Sequence, residues 1–304
     1  MVAGMDDAII IGGSFAGLTA ALYIARARRR VCVIDDGTPR NRFASRSHGF
    51  LTRDGSDPLD MLSQAREQLG AYPTARFVKG LATGVSGGID DFAVTLRSGD
   101  VLNSRRIVLA FGVSDVLPDL PGLAERWGKT VLACPYCHGY EFADRQLGVL
   151  QSHPMSAMQA NLIADWGPVT FFLDGHAPPE GEMMARLASR GVRVEPASVR
   201  ALEGEGTSLS SILLADGRRL PIDALYVAPR SPLRSGIAEQ LGCTIEQGRF
   251  GPIITTDAAR MTSVAGVYAA GDIARANNAL IAAASGAEAG IALHAGLVFE
   301  AIGN

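Results

Sequence analysis

The stretch AIIIGGSFAGLTAALYIARARRRVCVIDD, residues 8–36, decides the fold. A four-residue apolar run opens it, glycines follow at once, a longer apolar run with helical spacing comes next, and VCVIDD closes it. Short apolar runs bounded by turn residues read as buried strands and the longer periodic run as a helix, so the order is strand, turn, helix, strand. Such a βαβ unit binds a pyrophosphate when small residues stand at three places: where the chain turns tightly, where backbone meets the anion, and where helix packs on strand. Within the run Gly12, Gly13, Ser14, Phe15, Ala16, Gly17, those places fall on Gly12, Ser14 and Gly17. Ser14 departs from glycine but is still small. Asp35 lies at the end of the second strand, eighteen residues beyond Gly17, with Asp36 beside it. A carboxylate there accepts hydrogen bonds from an adenosine ribose, so the opening segment reads as a dinucleotide site.

Outward from this unit, residues 37–57 form a loop rich in Arg, Gly and Ser, residues 58–69 carry helical periodicity, and residues 92–96 and 106–109 are strand-like. The proline-broken segment AFGVSDVLPDLPG (110–122) reads as a crossover between domains. A second βαβ-like pattern runs from LGVLQS through a helix near 155–165 to the strand VTFFLD at Val169, and ends near APRSPLRSG. Residues 245–304 supply a strand pair, the run VYAAGD and a small-residue helix from Asn278, too little for a free-standing domain. The expected fold is therefore α/β, with two Rossmann-like three-layer nucleotide-binding domains, the second inserted into the first. Residues 1–115 and 237–304 form the outer domain, residues 116–236 the inserted one.

Composition bounds the function. At 304 residues, 47% of them hydrophobic, the chain buries a core large enough for two domains. A net charge of −3 gives no electrostatic reason to expect nucleic acid or an anionic membrane as partner. The run AIIIGG is too short for a signal peptide core, and no run is read as approaching the roughly 20 apolar residues of a membrane span. The expectation is a soluble, cytoplasmic protein.

Of four cysteines, Cys32 and Cys243 stand alone in apolar surroundings, whereas Cys134 and Cys137 share the run CPYCHGYE. A C-x-x-C pair is half of a zinc site, a redox dithiol or a coincidence. Structural zinc wants four ligands and no second cysteine pair exists, so no metal is expected. Local chemistry favours a redox dithiol: the spacing permits a disulfide, Pro135 stiffens the loop, and a helix start favours a thiolate. His138, adjacent, exchanges protons readily near neutral pH. These three residues are the candidate catalytic set.

TSVAGVYAAGDIA (262–274) resembles the second FAD fingerprint of flavoprotein reductases, which implies FAD as cofactor and Asp272, after Gly271, as its ribityl contact. The run NNALIAAASGAEAG then resembles the helix that points at the flavin ring, placing Ala279 beside it. Nucleotide motifs near both ends with C-x-x-C in an inserted domain form the layout of low-molecular-weight thioredoxin reductases, over nearly the whole chain. That resemblance implies that Cys134 exchanges with substrate, that Cys137 lies against the flavin, and that the protein is a homodimer. An Asp usually follows the second cysteine in that family, and His138 replaces it here. With the loop PRNRFASRSHGFLTRDG, the motif is similar to flavin-dependent dithiol oxidases that close disulfides in natural products of the gliotoxin, holomycin and romidepsin type. From this loop Arg40, Asn41 and His48 are carried over as cofactor neighbours, although His48 reads equally well as a loop residue bonding backbone.

A reductase of this layout binds NADPH through a second glycine turn and a basic cluster beyond the next strand. Here Gln151, Ser152, His153 and Pro154 follow the strand, and Asp174, Glu180 and Glu182 stand near where arginines would. Bulky side chains block backbone approach, proline lacks an N–H, and carboxylates repel a phosphate. The implied electron flow runs from a small-molecule or protein dithiol through the cysteine pair to FAD and on to O2. The rival readings are a reductase driven by NADPH or ferredoxin, and a non-catalytic redox sensor.

Overall fold

The computed structural model describes residues 5–275 and 278–299, and the chain divides into two compact units: Met1–Arg42, Pro58–Ser114 and Ser231–Asn304 in the first, Phe43–Asp57 and Asp115–Arg230 in the second.

In the first unit, β1 (Asp6–Ile11), α1 (Phe15–Arg26) and β2 (Val31–Asp35) realise the opening βαβ pattern. After α2 (Pro58–Gly70) come β3 (Ala75–Lys79), β4 (Ala82–Gly88), β5 (Asp91–Leu96) and β6 (Val101–Leu109). The sheet order is β3-β2-β1-β6-β5-β4, with the strand Val267–Ala269 also on β6. β1 is parallel to β2 and β6, whereas β5 is antiparallel to β6 and β4 to β5. The length of β6 explains the branching: its first residues pair with β5, and its last, Ile107 to Leu109, lie between β1 and Val267–Ala269.

Side chains on β1 alternate between two cores, as a strand period of 2 requires. Ala8 and Ile10 pack with Ala20, Ile24 and Leu293, while Ile9 and Ile11 pack with Phe92, Val94 and Ile237. Burying a side chain such as Ile24 contributes about 1.5–3 kcal/mol. The closing helix Ala279–Phe299 lies on α1 at close range. A Cβ at Gly286 would stand 2.1 Å from Ala16 O, and one at Gly290 2.7 Å from Ala20 O. This corrects the sequence expectation about apolar runs: the helix has 21 residues and an 18-residue window with a mean hydropathy of 1.4, so it is long and apolar enough to cross a membrane by length and composition. Its small residues are used here against α1.

The second unit has a parallel sheet in the order Arg193–Glu195, Val169–Phe172, Leu147–Leu150, Ala224–Tyr226, Val131–Leu132. Helices Ser156–Ile163 and Gly181–Ser189 cover one face through Ala160, Ile163 and Leu187. The antiparallel strands Val199–Glu203, Ser211–Leu214 and Arg219–Pro221 accompany a second core of Leu150, Phe172, Leu202 and Ile212.

The division differs from the expected 1–115/116–236/237–304 by one residue at Asp115, which falls in the second unit, and by two longer segments. Residues 43–57 group with the second unit, where Lys129 Nζ donates to Ser45 Oγ at 2.6 Å and Gly128 abuts Phe43. Residues 231–236 group with the first, where the Ser231 N–H donates to Phe250 O at 2.7 Å. Proline and glycine marked both neighbourhoods, but hydrogen bonding sets the actual boundaries.

Candidate functional site

In the first unit, the turn after β1 is tight because two glycines have no alternative. Gly12 has φ +114°, and a Cβ there would stand 2.2 Å from Ala110 O; at Gly17 it would stand 1.8 Å from Gly12 O. Ser14 is the N-cap of α1 without a side-chain capping bond, and Phe15 O accepts from Thr19 Oγ1 at 2.7 Å. Gly12 N–H is used by Ile34 O, but among the described residues the N–H groups of Gly13 and Ser14 make no hydrogen bond. Donors left over at the start of a twelve-residue helix are suited to a phosphate. Ala16 fills the gap between Gly271 and Gly286, which ties the turn to the end of the chain.

The acids at the end of β2 do different work. Asp35 Oδ2 takes Arg66 at 2.5 Å, and the same guanidinium donates to Gly13 O at 2.9 Å, so Arg66 fixes the carboxylate beside the turn. Asp36 accepts from Thr38 through Oδ1 and from Arg234 through Oδ2, at 2.9 Å for the latter, which engages both its oxygens in the local turn. Arg66 and Arg234 were missed in sequence because lone arginines far along the chain carry no motif. Asp272 pairs with Arg40 at 2.7 Å across a separation of 232 residues, joining two positions that the sequence offered separately. Gly271 (φ +80°) donates to Ser285 Oγ at 2.9 Å, and Asn278 Oδ1 accepts from Ile281 N–H at 2.9 Å, capping the helix that Ala279 begins. Asn41 Oδ1 is buried with no hydrogen-bond partner. A glycine cradle with no room for a side chain, two unused N–H groups, a fixed carboxylate and an orphaned amide oxygen together fit a dinucleotide.

In the second unit the corresponding turn is closed upon itself. Ser156 Oγ accepts from the N–H groups of Ser152 (3.3 Å) and His153 (3.1 Å), His153 Nδ1 accepts from Met155 N–H at 3.1 Å, and His153 O accepts from Ser156 N–H at 2.9 Å. Pro154 has no donor. Asp174, beyond the next strand, accepts from Val199 N–H at 2.7 Å, and Glu182 pairs with Arg186. Glu180 precedes the helix Gly181–Ser189 as its N-cap.

The redox motif lies in the same unit. Cys134 follows Val131–Leu132, and the one-turn helix Pro135–His138 carries the rest, with proline at its start, where the missing N–H costs nothing. Cys134 and Cys137 form a disulfide, and Cys137 N–H donates to Cys134 Sγ at 3.2 Å. Tyr136, 70% exposed, meets Trp166 edge-on, and Gly139 sits under the same indole. Burial holds the His138 imidazole below its ordinary value, with Glu141 pulling it up and His48 pushing it down. His48 is thus brought to the redox motif's own unit: its ring meets His138 edge-on at 6.3 Å, Nε2 is 3.4 Å from Glu141 Oε1, and Nδ1 is 3.6 Å from Asp54 Oδ1. The sequence offered His48 as a cofactor neighbour or a loop residue bonding backbone; the fold sets it beside His138, Glu141 and Asp54. Cys32 and Cys243 are buried, and burial pushes the Cys32 thiol up to about 12, far from reactive.

Residues 6–152 and 177–289 match the family described as pyridine nucleotide-disulphide oxidoreductase. The thioredoxin reductase tcpT of Claviceps purpurea is 33% identical over 88% of this chain and 86% of its own length. The thioredoxin reductase sirT of Leptosphaeria maculans is 30% identical over 98% and 94%. Among solved structures, an oxidoreductase from Agrobacterium tumefaciens superposes with a TM-score of 0.93 at 42% identity, covering 97% of this chain and 99% of that one. HlmI superposes at 0.92 with 39% identity, covering 99% and 95%. The chain belongs to the pyridine nucleotide-disulphide oxidoreductase family, as a thioredoxin reductase-like flavoprotein: an FAD-dependent thiol–disulfide oxidoreductase.

Proposed function

We propose that this flavoprotein works as a dithiol oxidase, taking electrons from a small dithiol and passing them through FAD to O2. The observation that supports this most directly is the second turn. A pyrophosphate needs free backbone N–H groups at close range, and here Ser152, His153 and Met155 donate theirs to side chains within the turn. The family match also omits residues 153–176, the stretch that begins inside this turn.

The residues of the first cradle, Gly12 to Gly17 with Asp35, Arg40, Asn41 and Asp272, would hold FAD. When bound, FAD supplies the two-electron acceptor that re-forms the Cys134–Cys137 disulfide, with O2 as the final oxidant. The protein's own chemistry is thiol exchange. One substrate thiolate attacks Cys134 Sγ; a substrate–Cys134 bond forms, the Cys134–Cys137 bond breaks, and Cys137 leaves as thiolate. The second substrate thiolate then attacks the substrate sulfur of that mixed disulfide, closing the substrate disulfide and releasing Cys134. Cys137 N–H, already directed at Cys134 Sγ, stabilises the charge as it develops there. Two electrons have moved to the cysteine pair and two protons have been released, with His138 as the nearest base.

Anaerobic mixing separates this from the reductase reading. Dithiothreitol should bleach the flavin absorbance and, in air, consume oxygen over many turnovers, while NADPH leaves the flavin oxidised. Rapid bleaching by NADPH would defeat the proposal.

A further inference from the structure

Thiol exchange at Cys134–Cys137 moves two protons per cycle in either direction, yet one base, His138, stands beside the pair. Its imidazole is half-buried, so a proton it accepts needs a route out. The structure offers one set of groups. His48, on the loop between Arg40 and Pro58, presents one ring nitrogen to Glu141 at 3.4 Å and the other to Asp54 at 3.6 Å, with its ring against that of His138. Asp54 has 70% of its side chain exposed, whereas the His48 side chain is only 18% exposed. Asp54 is held in place by Gly49 N–H, which donates to its Oδ1 at 2.7 Å. The series His138, Glu141, His48, Asp54 thus runs from the redox segment to solvent, with the His48 ring edge-on to that of His138.

We propose that His48 is a proton-relay residue, carrying protons between His138 and solvent by way of Asp54, while Glu141 balances the charge of the histidine pair. Two imidazoles in ring contact resist being charged together, since each cation raises the cost of the other. The pair therefore stores one proton, and Glu141 makes that state affordable. The second proton of each cycle leaves through Asp54. No change of oxidation state is involved: a substrate thiol loses H⁺ to His138, His138 releases it by way of Glu141, whose Oε1 faces His48 Nε2, and His48 passes a proton from Nδ1 to Asp54 or water. The groups facing His48 are Asp54 from its own loop and His138 and Glu141 from the redox segment. This rests on Cys134–Cys137 being the site of thiol exchange, but not on O2 being the acceptor.

The test uses the FAD-loaded full chain and dithiothreitol, with reduction of Cys134–Cys137 followed by rapid quench and thiol alkylation between pH 5 and 9, so that neither oxygen nor a nucleotide enters the readout. H48A should slow exchange by about tenfold or more, and added imidazole should restore it in a saturable way. H48Q, which fills the same space without a titrating group, should be as slow and not respond. D54N should slow exchange less than H48A. In an NMR titration of the oxidised protein, His138 should titrate higher in H48A than in the wild type, because a repelling neighbour is gone. An H48Q variant that matches the wild type in rate and pH profile overturns the proposal. A slow H48A indifferent to imidazole, or an unmoved His138 titration, overturns it equally. NADPH-driven flavin reduction would defeat the oxidase reading and leave these outcomes unaffected.

Discussion

Cys137 is where the chemistry of this protein is most exposed to a single change. C137S should leave FAD bound, since no part of the first cradle is touched, and should abolish flavin reduction by dithiols; an anaerobic spectrum distinguishes the two effects. The pH dependence follows from His138. Burial lowers its pKa, so the neutral base persists below the usual imidazole value of about 6.5. The acid limb of thiol-driven reduction should therefore lie below 6.5. Glu141 raises the His138 pKa, so E141Q should move that limb lower still. The stability sign agrees: between the two values the unfolded chain binds the proton and the folded one does not, so stability falls as pH drops through this window. Cys134, Cys137 and His138 could be offered from the sequence because they lie within five residues of one another. The placement of His48 was not, since a loop residue's partners depend on where the loop folds back.

At the scale of elements, the turn after β1 in the first unit and the turn after Leu147–Leu150 in the second show how one architecture is opened or closed to a nucleotide. In the first, the N–H groups of Gly13 and Ser14 make no hydrogen bond among the described residues; in the second, one hydroxyl accepts from two N–H groups. S156A should remove the hydroxyl that accepts from Ser152 and His153, while Ser152 N–H keeps Leu150 O at 2.9 Å, at a cost of about 0.5–1.5 kcal/mol, measurable as a lower Tm, while thiol exchange is unchanged. It should not confer NADPH reduction, because His153 and Pro154 still obstruct the approach. The packing of Ala279–Phe299 on α1 is equally specific. G290A places a methyl 2.7 Å from Ala20 O and should cost about 1–3 kcal/mol in thermal or denaturant unfolding. The sequence showed that both turns exist and that the second lacks glycine. Which donors are used up is a matter of side-chain rotamers that no spacing rule contains.

For the molecule as a whole, each unit has its own sheet, mixed in the first and parallel in the second, with a separate core on each face. Loss of one site by substitution is therefore expected to leave the other unit folded. A domain comprising the first unit's segments supplies the cofactor cradle, and the second supplies the dithiol. Chain order interleaves them, which is why 43–57 and 231–236 group differently from the sequence expectation: both are short and polar, and nothing local states which unit they join.

What the sequence determined by itself is whatever depends on neighbours within one or two turns: the βαβ order, the glycine positions, the C-x-x-C pair and the missing second glycine turn. Backbone sterics and side-chain period act over that range, so residue type and spacing are enough. Tertiary structure alone decided the partnerships across long separations: Arg40 with Asp272, Arg66 with Asp35, Ser285 with Gly271, and His48 with Glu141. Those contacts arise only when sheet order and loop closure bring distant segments together, and single charged or polar residues carry no periodicity that would announce them.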